Sequence, residues 1–257
     1  MFFRVRTNMA ITQIAVINSS SALTDVNGQY MVDALNKLLP QFCSDWSLAP
    51  CIAIYVKKGA TSSIGTKVFF LDKSDSQGAL AYHDLSSGKP YGRVFVKTIL
   101  TYGPILFSAD STKPTVAQCL AHEIFELLID PVCNGWWMLP DYNTLYPSEV
   151  SDPVQGNIVP VTLTYTSLTT TLPIRTITTT VKVGLSDWIL PSWANPQGSR
   201  PFNHNNTLSA PFAIDKGGYE YVLRNGTVTT VFGKLASKYV KDKAADSERM
   251  LKRTPKA

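Results

Sequence analysis

The sequence contains no uninterrupted apolar run of the roughly 18–20 residues that a helix needs to cross a bilayer. Its first apolar stretch, ITQIAVI, is short and is interrupted by Gln13, and no convincing small-residue cleavage site follows it. We therefore predict neither a membrane-spanning segment nor a signal peptide. The same stretch is better interpreted as a first β-strand.

Cysteine is also scarce. The four cysteines are Cys43, Cys51, Cys119 and Cys133, and they show neither CxxC spacing nor the density of a disulfide scaffold. We therefore expect free thiols in a reducing cytoplasm. The 257 residues, 44% of them hydrophobic, are enough to bury a substantial core as one large domain or two smaller ones.

Positive charge is concentrated at the C-terminus. The segment 234–257 contains eight basic and three acidic residues, a balance of +5 that equals the formal net charge of the whole chain. This basic tail is the part of the sequence that would contact nucleic acid or an acidic protein. A solvated terminal helix kept soluble by its lysines is the simpler interpretation of the same pattern.

The order of predicted elements indicates the α+β class. AITQIAVINS is a β-rich run, and helical spacing follows from an N-cap at Thr24 or Asp25 to Pro40, where we expect the helix to end or kink. Further strands are predicted in CIAIYVKK, TKVFFLD, GALAYHD and GRVFVKTIL, each bounded by Gly, Ser, Asp or Pro. A second helix is predicted over about residues 114–130, with a proline at its start and another just beyond its end.

The sequence changes in character after this helix. VCNGWWMLPDYNTLYPSEVSDPVQGN is irregular and rich in aromatic residues, proline and glycine, a composition suited to ordered loops around a site. VTLTYTSLTTTLPIRTITTTVKV predicts a long hairpin that turns near TLPI, and GGYEYVLRNGTVTTVFG predicts another with Asn225 and Gly226 at its turn. We divide the chain into a core (1–157), a β-rich region that completes or decorates it (158–233) and the basic tail (234–257).

The stretch LAHEIFELLIDP carries the clearest chemical signal. His122 and Glu126 are four positions apart, so a helix presents their side chains on one face, and Asp130 continues the row. Imidazole and carboxylate are both good zinc ligands, and HExxH metallopeptidases use the same spacing. Glu123 stands where those enzymes have their general base. A carboxylate at position 126 makes the ion a weaker Lewis acid than a second His would.

A third ligand has to come from elsewhere in the chain. A hydrolytic zinc site needs three protein ligands and an open position for water, whereas a structural site fills all four positions. YPSEVSDPV offers Glu149 and, three residues on, Asp152, which share a face if this segment is helical. Glu149 lies 23 residues beyond Glu126, enough chain to leave the helix and return to its side.

Several separated stretches resemble a known group of proteins. ALAYHD, AHEIFELLIDP, SEVSDPV, SDWILPSW and SAPFAIDKGGY, with the order of elements before the motif helix, resemble a zincin-like group of the gluzincin type found in bacteria and tailed phages. The resemblance covers roughly residues 10 to 220. It implies a zincin-like core in which an edge strand, here GALAYHD, lies over the motif helix. The Thr-rich hairpin between Gly156 and Gly184 looks like an insertion relative to that group.

The resemblance also implies roles for individual residues. The implied Zn²⁺ ligands are His122, Glu126 and Glu149. Glu123 is implied as the general base, and Asp130 and Asp152 as residues that support the ligands or replace one of them. Four residues are candidates for an electrophile that stabilises the tetrahedral intermediate of peptide hydrolysis: Tyr142, Tyr146, His83 and His204.

Two functions follow from this resemblance. The first is a zinc-dependent metallopeptidase whose peptide or protein substrate pairs with the GALAYHD edge strand. The second is a structural or assembly protein of a phage virion, with a metal site that is structural or inactive. In the second case the hairpin and the basic tail would contact neighbouring subunits or packaged nucleic acid, and the protein would be located in the virion rather than the cytoplasm.

Overall fold

The computed structural model describes residues 10–109, 112–168, 175–236 and 241. These residues form a mixed α+β fold, which confirms the predicted class. In chain order the elements are β1 (Gln13–Asn18), α1 (Asp25–Asp45), β2 (Ile52–Val56), β3 (Thr66–Leu71), β4 (Ala81–Ser86), β5 (Lys89–Phe95), α2 (Val96–Leu100), α3 (Val116–Ile129), β6 (Trp136–Met138), β7 (Thr144–Pro147), a 3-10 helix (Asp152–Val154), β8 (Ile158–Leu168), β9 (Thr176–Ser186), β10 (Tyr219–Arg224) and β11 (Thr227–Phe232).

A five-stranded sheet in the order β2-β1-β3-β5-β4 lies at the centre of the fold. The first four of these strands run parallel, and β4 is an antiparallel strand at the edge. Along β1, Ile14 and Val16 face the largest apolar cluster, whereas Ala15 and Ile17 face a smaller cluster on the other side. Burial on both faces explains why β1 is almost continuously apolar, as parallel strands usually are.

Helix α1 begins where its sequence predicts and ends later than expected. Thr24 is the N-cap, and its side chain accepts a hydrogen bond from the backbone N–H of Asn27 at 3.2 Å. Of the two alternatives predicted at Pro40, an end of the helix is wrong, because the helix continues to Asp45 with Pro40 inside it. Pro40 is exposed and loses one helical hydrogen bond, while Phe42 in the following turn is fully buried and holds that turn on the core.

The strand predicted over GRVFVKTIL is wrong for its last five residues. β5 ends at Phe95, and Val96–Leu100 form the short helix α2. Val96 and Ile99 are three positions apart and both fully buried, so a helical turn directs both side chains into the core, where an extended chain would bury only one.

The region predicted to be irregular contains a small sheet. β6 pairs with β7 and β7 pairs with β10, which gives a four-stranded sheet in the order β11-β10-β7-β6. The predicted hairpin of β10 and β11 is confirmed, with Asn225 and Gly226 at φ 49° and 80° in its two-residue turn. β8 and β9 also form the predicted long hairpin, but the expected turn near TLPI lies outside the described residues.

The interior of the protein is organised around α3. This helix contacts β4, β5 and β9, and Phe125 stacks on Phe42 of α1 at 4.4 Å between ring centroids. The ring of Trp188 meets both phenylalanines edge-on. Val161 and Val183 of the β8–β9 hairpin belong to the same apolar cluster. The end of the hairpin that contains Val161 and Val183 therefore contributes to the core, whereas residues 176–180 are exposed.

Most of the basic tail lies outside the described residues, which include only 234–236 and Lys241 of it. Its predicted contacts with nucleic acid or an acidic protein stay predictions, as does the division of the chain at residue 157. Among the described residues, no helix is both long and apolar enough to span a bilayer.

Candidate metal centre

Helix α3 supplies three polar side chains to a buried site. The helix spans Val116–Ile129, within two residues of the predicted bounds, and the side chain of Thr115 caps it by accepting a hydrogen bond from Gln118 N. The helix is apolar around most of its circumference, as buried helices are. His122, Glu123 and Glu126 are nevertheless only 2–3% exposed. Buried ionisable groups of this kind have to be compensated by partners.

Two other parts of the chain complete the cluster. β4 is the edge strand beside β5, and it brings His83 against α3. The segment 149–152, which enters the 3-10 helix after β7, brings Glu149 and Asp152 to the same place. These three side chains are also almost completely buried. The cluster thus joins residues that lie up to 69 positions apart in the sequence.

His122 is the centre of the first group of potential ligands. Its Nε2 lies 3.1 Å from Oε1 of Glu126 and 3.1 Å from Oδ1 of Asp152. The three ligand atoms lie within 4.8 Å of one another. Two atoms bound to one zinc ion at about 2.1 Å, at a tetrahedral angle, are separated by about 3.4 Å. The observed spacing therefore suits an ion between these side chains.

His83 is the centre of the second group. Its Nδ1 lies 3.2 Å from Oε2 of Glu123 and 3.6 Å from Oε2 of Glu126, and these three residues again place ligand atoms within 4.8 Å of one another. Its Nε2 lies 3.7 Å from Oε2 of Glu149. Glu126 is common to both groups, and it presents a different oxygen to each histidine.

The two acids of SEVSDPV differ in position from the expected ligand set. Asp152, expected as a supporting or alternative ligand, approaches His122, whereas Glu149, expected as the third ligand, approaches His83. The reason is the local backbone. The N–H of Ser151 donates to Oε1 of Glu126 at 3.3 Å, and the 3-10 helix that follows begins at Asp152, which brings this carboxylate to His122.

Asp130 supports a turn at the end of α3. It is the C-terminal cap of the helix, with φ −127° and ψ 69°, so its backbone leaves the helical row that His122 and Glu126 follow. Its Oδ2 accepts a hydrogen bond from Gly135 N at 2.8 Å. Burial raises the pKa of Asp130, and the hydrogen bond from Gly135 opposes this shift. Asp130 belongs to neither group of three potential ligands.

The electrostatics of the cluster favour a cation. Burial raises the pKa of Glu126 to about 8; the nearby His122 lowers this pKa, whereas Glu149 and Asp152 raise it. Like charges gathered in a water-poor interior destabilise one another, and a divalent ion relieves that repulsion.

Glu220 on β10 is a further buried acid that the sequence interpretation missed. It is 0% exposed, and burial followed by repulsion from Asp152 raises its pKa well above the usual range. Oε1 accepts from Tyr221 N at 2.8 Å, and Oε2 has no hydrogen-bond partner among the described residues. The sequence feature that could have identified Glu220 is its position between two aromatic residues in YEYVL. This segment of β10 is buried throughout.

The four candidate electrophiles have different surroundings. His83 lies inside the cluster. Tyr142 is 70% exposed in the turn between β6 and β7, and the ring of Tyr146 packs on Trp193 and Phe212. The ring of His204 stacks on Trp188 at 4.0 Å.

The cluster is nearly sealed. A cavity of about 10 Å³ lies beside His122, with Leu80, Pro114, Gln118 and Gln155 in its walls. This volume is about that needed by one water molecule. A water could therefore reach the His122 group, but a peptide needs β4 or the neighbouring loops to move.

Comparison with known proteins gives no relative: no family model, no curated protein and no solved structure matches the chain. Its function therefore has to be inferred from the site. Imidazole nitrogens with carboxylate oxygens form a donor set typical of zinc and of other divalent transition metals. The side chains around His122 fit such an ion in both spacing and chemistry.

Proposed function

We propose that this protein is a metal-dependent hydrolase of the zincin-like metallopeptidase type, with Zn²⁺ as the first candidate ion. The observation that carries the proposal is the approach of Glu126 and Asp152 to the same nitrogen of His122, at 3.1 Å each. Two carboxylates and one imidazole make three protein ligands, which leaves a position for water.

The fold is consistent with this proposal. β4 is an antiparallel edge strand that contacts α3, as the resemblance to zincin-like proteins implies for an edge strand over the motif helix. An extended peptide could add to such an edge through main-chain hydrogen bonds. Because β4 also carries His83, a substrate on this edge would lie close to the cluster.

The chain supplies the groups that such a reaction needs. A bound divalent ion lowers the pKa of a coordinated water and polarises a carbonyl group. We assign proton acceptance to Glu123, the neighbour of His122 in the sequence. The imidazole of His83, 3.2 Å from the Glu123 carboxylate, orients that carboxylate. The apolar wall formed by Leu80 excludes bulk water.

A second candidate function is favoured by the burial of the site. Because every potential ligand is almost fully buried, the ion could serve to hold α3, β4 and the 149–152 segment together. This is the role expected if the chain is a structural protein of a phage particle. Chelation would then unfold the protein, and purified particles would contain the chain in many symmetric copies.

Metal analysis tests the proposed site. We expect protein purified without chelator to contain stoichiometric zinc or another divalent transition metal, and His122→Ala to lose the ion that His122 binds. His204→Ala removes an imidazole outside the cluster and is the matched control. Absence of metal from the parent protein would exclude a metal-dependent function.

Proteolysis of an unfolded protein substrate and of a peptide library tests the activity. We expect cleavage that a chelator abolishes and that Glu123→Gln removes while the ion bound by His122 stays in place. Unchanged cleavage by Glu123→Gln would exclude Glu123 as the base. A metal-loaded parent protein that cleaves nothing, and that loses its fold on chelation, would favour the structural role.

A further inference from the structure

The orientation of Glu126 is the starting point for a further inference. One oxygen of its carboxylate, Oε1, faces His122, and the other, Oε2, faces His83. A carboxylate that binds a single ion need only present its oxygens to one set of ligands. Here the two oxygens are directed at different imidazoles, which is the arrangement of a carboxylate that bridges two ions.

Each side of Glu126 has a sufficient set of donors. On the His122 side, the imidazole and Asp152 join Oε1. On the other side, His83 and Glu123 join Oε2, and Glu149 stands 3.7 Å from the second nitrogen of His83. In each group the three ligand atoms lie within 4.8 Å of one another. Two-ion hydrolytic sites hold their ions about 3.5–4 Å apart, a separation that one carboxylate can span.

Charge balance also favours two ions. The four carboxylates of Glu123, Glu126, Glu149 and Asp152 carry four negative charges when ionised, and both imidazoles are neutral when they bind metal. Two divalent ions would neutralise all four, whereas with one ion two of the carboxyl groups would have to stay protonated or remain uncompensated in the buried site. Uncompensated buried charge is strongly destabilising.

A fifth acid adjoins the site without belonging to either group. Glu220 is completely buried, interacts electrostatically with Asp152, Glu149 and Glu126, and has an oxygen, Oε2, with no hydrogen-bond partner among the described residues. A buried oxygen without a hydrogen-bond partner among the described residues is a polar group that a donor or an ion would satisfy.

We infer that Glu126 bridges two divalent transition-metal ions, one held with His122 and Asp152 and the other with Nδ1 of His83 and with Glu123. The inference rests on the proposed metal-dependent function and extends it. One imidazole on each side favours Zn²⁺, Mn²⁺ or Fe²⁺ over Mg²⁺ and Ca²⁺, which prefer oxygen ligands. A second ion would make Glu123 a ligand in place of the free proton acceptor assigned above, and a pair of ions would supply Lewis-acid polarisation of a water and of the substrate carbonyl.

Metal stoichiometry tests this inference directly. The full chain is stripped with a chelator, reloaded with Mn²⁺, freed of excess ion and analysed for metal. We expect two ions per chain. One ion per chain would overturn the bridged site and leave the proposed function standing, and no bound ion would overturn both.

Variants assign the second ion to its ligands. His83→Asn and Glu123→Gln should each lower the content from two ions to one, whereas the matched control His204→Asn should keep two. Two ions retained in both site variants would overturn the assignment of His83 and Glu123. Circular dichroism establishes that each variant is folded before its metal is counted.

A measurement on the unmodified protein does not depend on the folding of variants. Two Mn²⁺ ions bridged by a carboxylate are magnetically coupled, so the Mn²⁺-loaded parent should give the electron paramagnetic resonance spectrum of an exchange-coupled pair. The spectrum of isolated Mn²⁺ in the fully loaded protein would contradict a bridge through Glu126.

Discussion

At the scale of single residues, Glu126 distinguishes this site from an HExxH site. A histidine at that position presents one nitrogen to one ion, whereas the carboxylate presents two oxygens and faces both His122 and His83. Glu126 makes one further contact. Oε1 accepts a hydrogen bond from Ser151 N, so Glu126 also fixes the segment that carries Asp152.

Substitution of Glu126 by histidine, the residue that HExxH has at this position, tests this difference. We expect Glu126→His to keep the ion beside His122 and to lose the ion beside His83, so the metal content should fall from two ions to one. The remaining ion would have one fewer negative ligand and should be the stronger Lewis acid. Metal analysis of the reloaded, folded variant is the measurement, and two retained ions would show that the bridge is dispensable.

Asp187 is a second buried carboxylate, and its hydrogen-bond partners give it a structural role. Its Oδ1 accepts hydrogen bonds from Trp188 N at 2.8 Å and Asn205 N at 3.3 Å, and its Oδ2 accepts from the side chains of Asn203 at 2.6 Å and Asn157 at 3.3 Å. Burial raises the pKa of this carboxyl, and the hydrogen bonds oppose the shift. The side chain thus connects β9 to the loop that follows.

Removal of the carboxylate should destabilise the protein. We expect Asp187→Ala to lower the free energy of unfolding by about 1–3 kcal/mol, because buried donors lose their acceptor. Asp187→Asn keeps one acceptor oxygen and should lower it less. Urea denaturation measures both, and an alanine variant as stable as the parent would contradict the structural role.

At the scale of elements, α1 and β2 fit together through a glycine in the helix. A Cβ on Gly28 would lie 2.4 Å from Cε2 and 2.6 Å from the hydroxyl oxygen of Tyr55. That hydroxyl donates to Oδ1 of Asp25 in the first turn of the helix at 2.7 Å. Gly28 is therefore needed for the ring of Tyr55 to cross the helix.

A substitution that favours the helix should consequently destabilise the protein. Alanine is about 1 kcal/mol better than glycine inside a helix, but we expect Gly28→Ala to lower the free energy of unfolding because Tyr55 has to move. In a Tyr55→Leu background the same substitution should become neutral or stabilising. Urea denaturation of the four proteins gives the coupling, and equal effects of Gly28→Ala in both backgrounds would contradict the steric explanation.

The elements that were predicted well are those with local signals at their ends. Helix α3 has Thr115 as its cap and a proline beyond its last turn, and the β10–β11 turn has Asn225 and Gly226 at positive φ. By contrast, Val96–Leu100 satisfies strand and helix patterns equally well over five residues. Its helical state depends on which of its apolar residues reach the core, and that is decided by packing.

At the scale of the whole molecule, charge is distributed unevenly between the surface and the interior. The chain before residue 234 is formally neutral, yet the acids of the candidate metal centre are gathered inside it. Burial raises the pKa of Glu126 to about 8, and it raises the pKa values of Asp130 and Glu220 as well. At the surface, hydrogen bonds donated by Lys97, Ser21 and Ser20 lower the pKa of Asp72.

The metal-free protein should therefore lose stability as the pH rises. A carboxyl whose pKa is higher in the folded than in the unfolded state contributes stability below its unfolded pKa, and this contribution is lost as the pH rises through the folded pKa. For Glu126 that window runs from its ordinary value of 4.5 to about 8. We expect chelator-treated protein to have a lower midpoint of urea denaturation at about pH 8.5 than at about pH 5.5.

Restored metal should reverse this dependence, because an ion binds the ionised carboxylates and its stabilisation grows with pH. The same denaturation series with added Zn²⁺ is the control. A metal-free protein that is more stable at the higher pH would contradict the electrostatic description of the centre.

The sequence by itself determined the α+β class, the bounds of α3 and the face on which His122 and Glu126 lie, because helix caps, turns and the 3.6-residue period are local properties. It also drew attention to Glu149 and Asp152. Only the tertiary structure decided which of these two acids approaches which histidine, and that His83 and Glu220 adjoin them. Those relations depend on how β4, β10 and the 149–152 segment pack around α3, and contacts between elements far apart in the chain have no local pattern to reveal them.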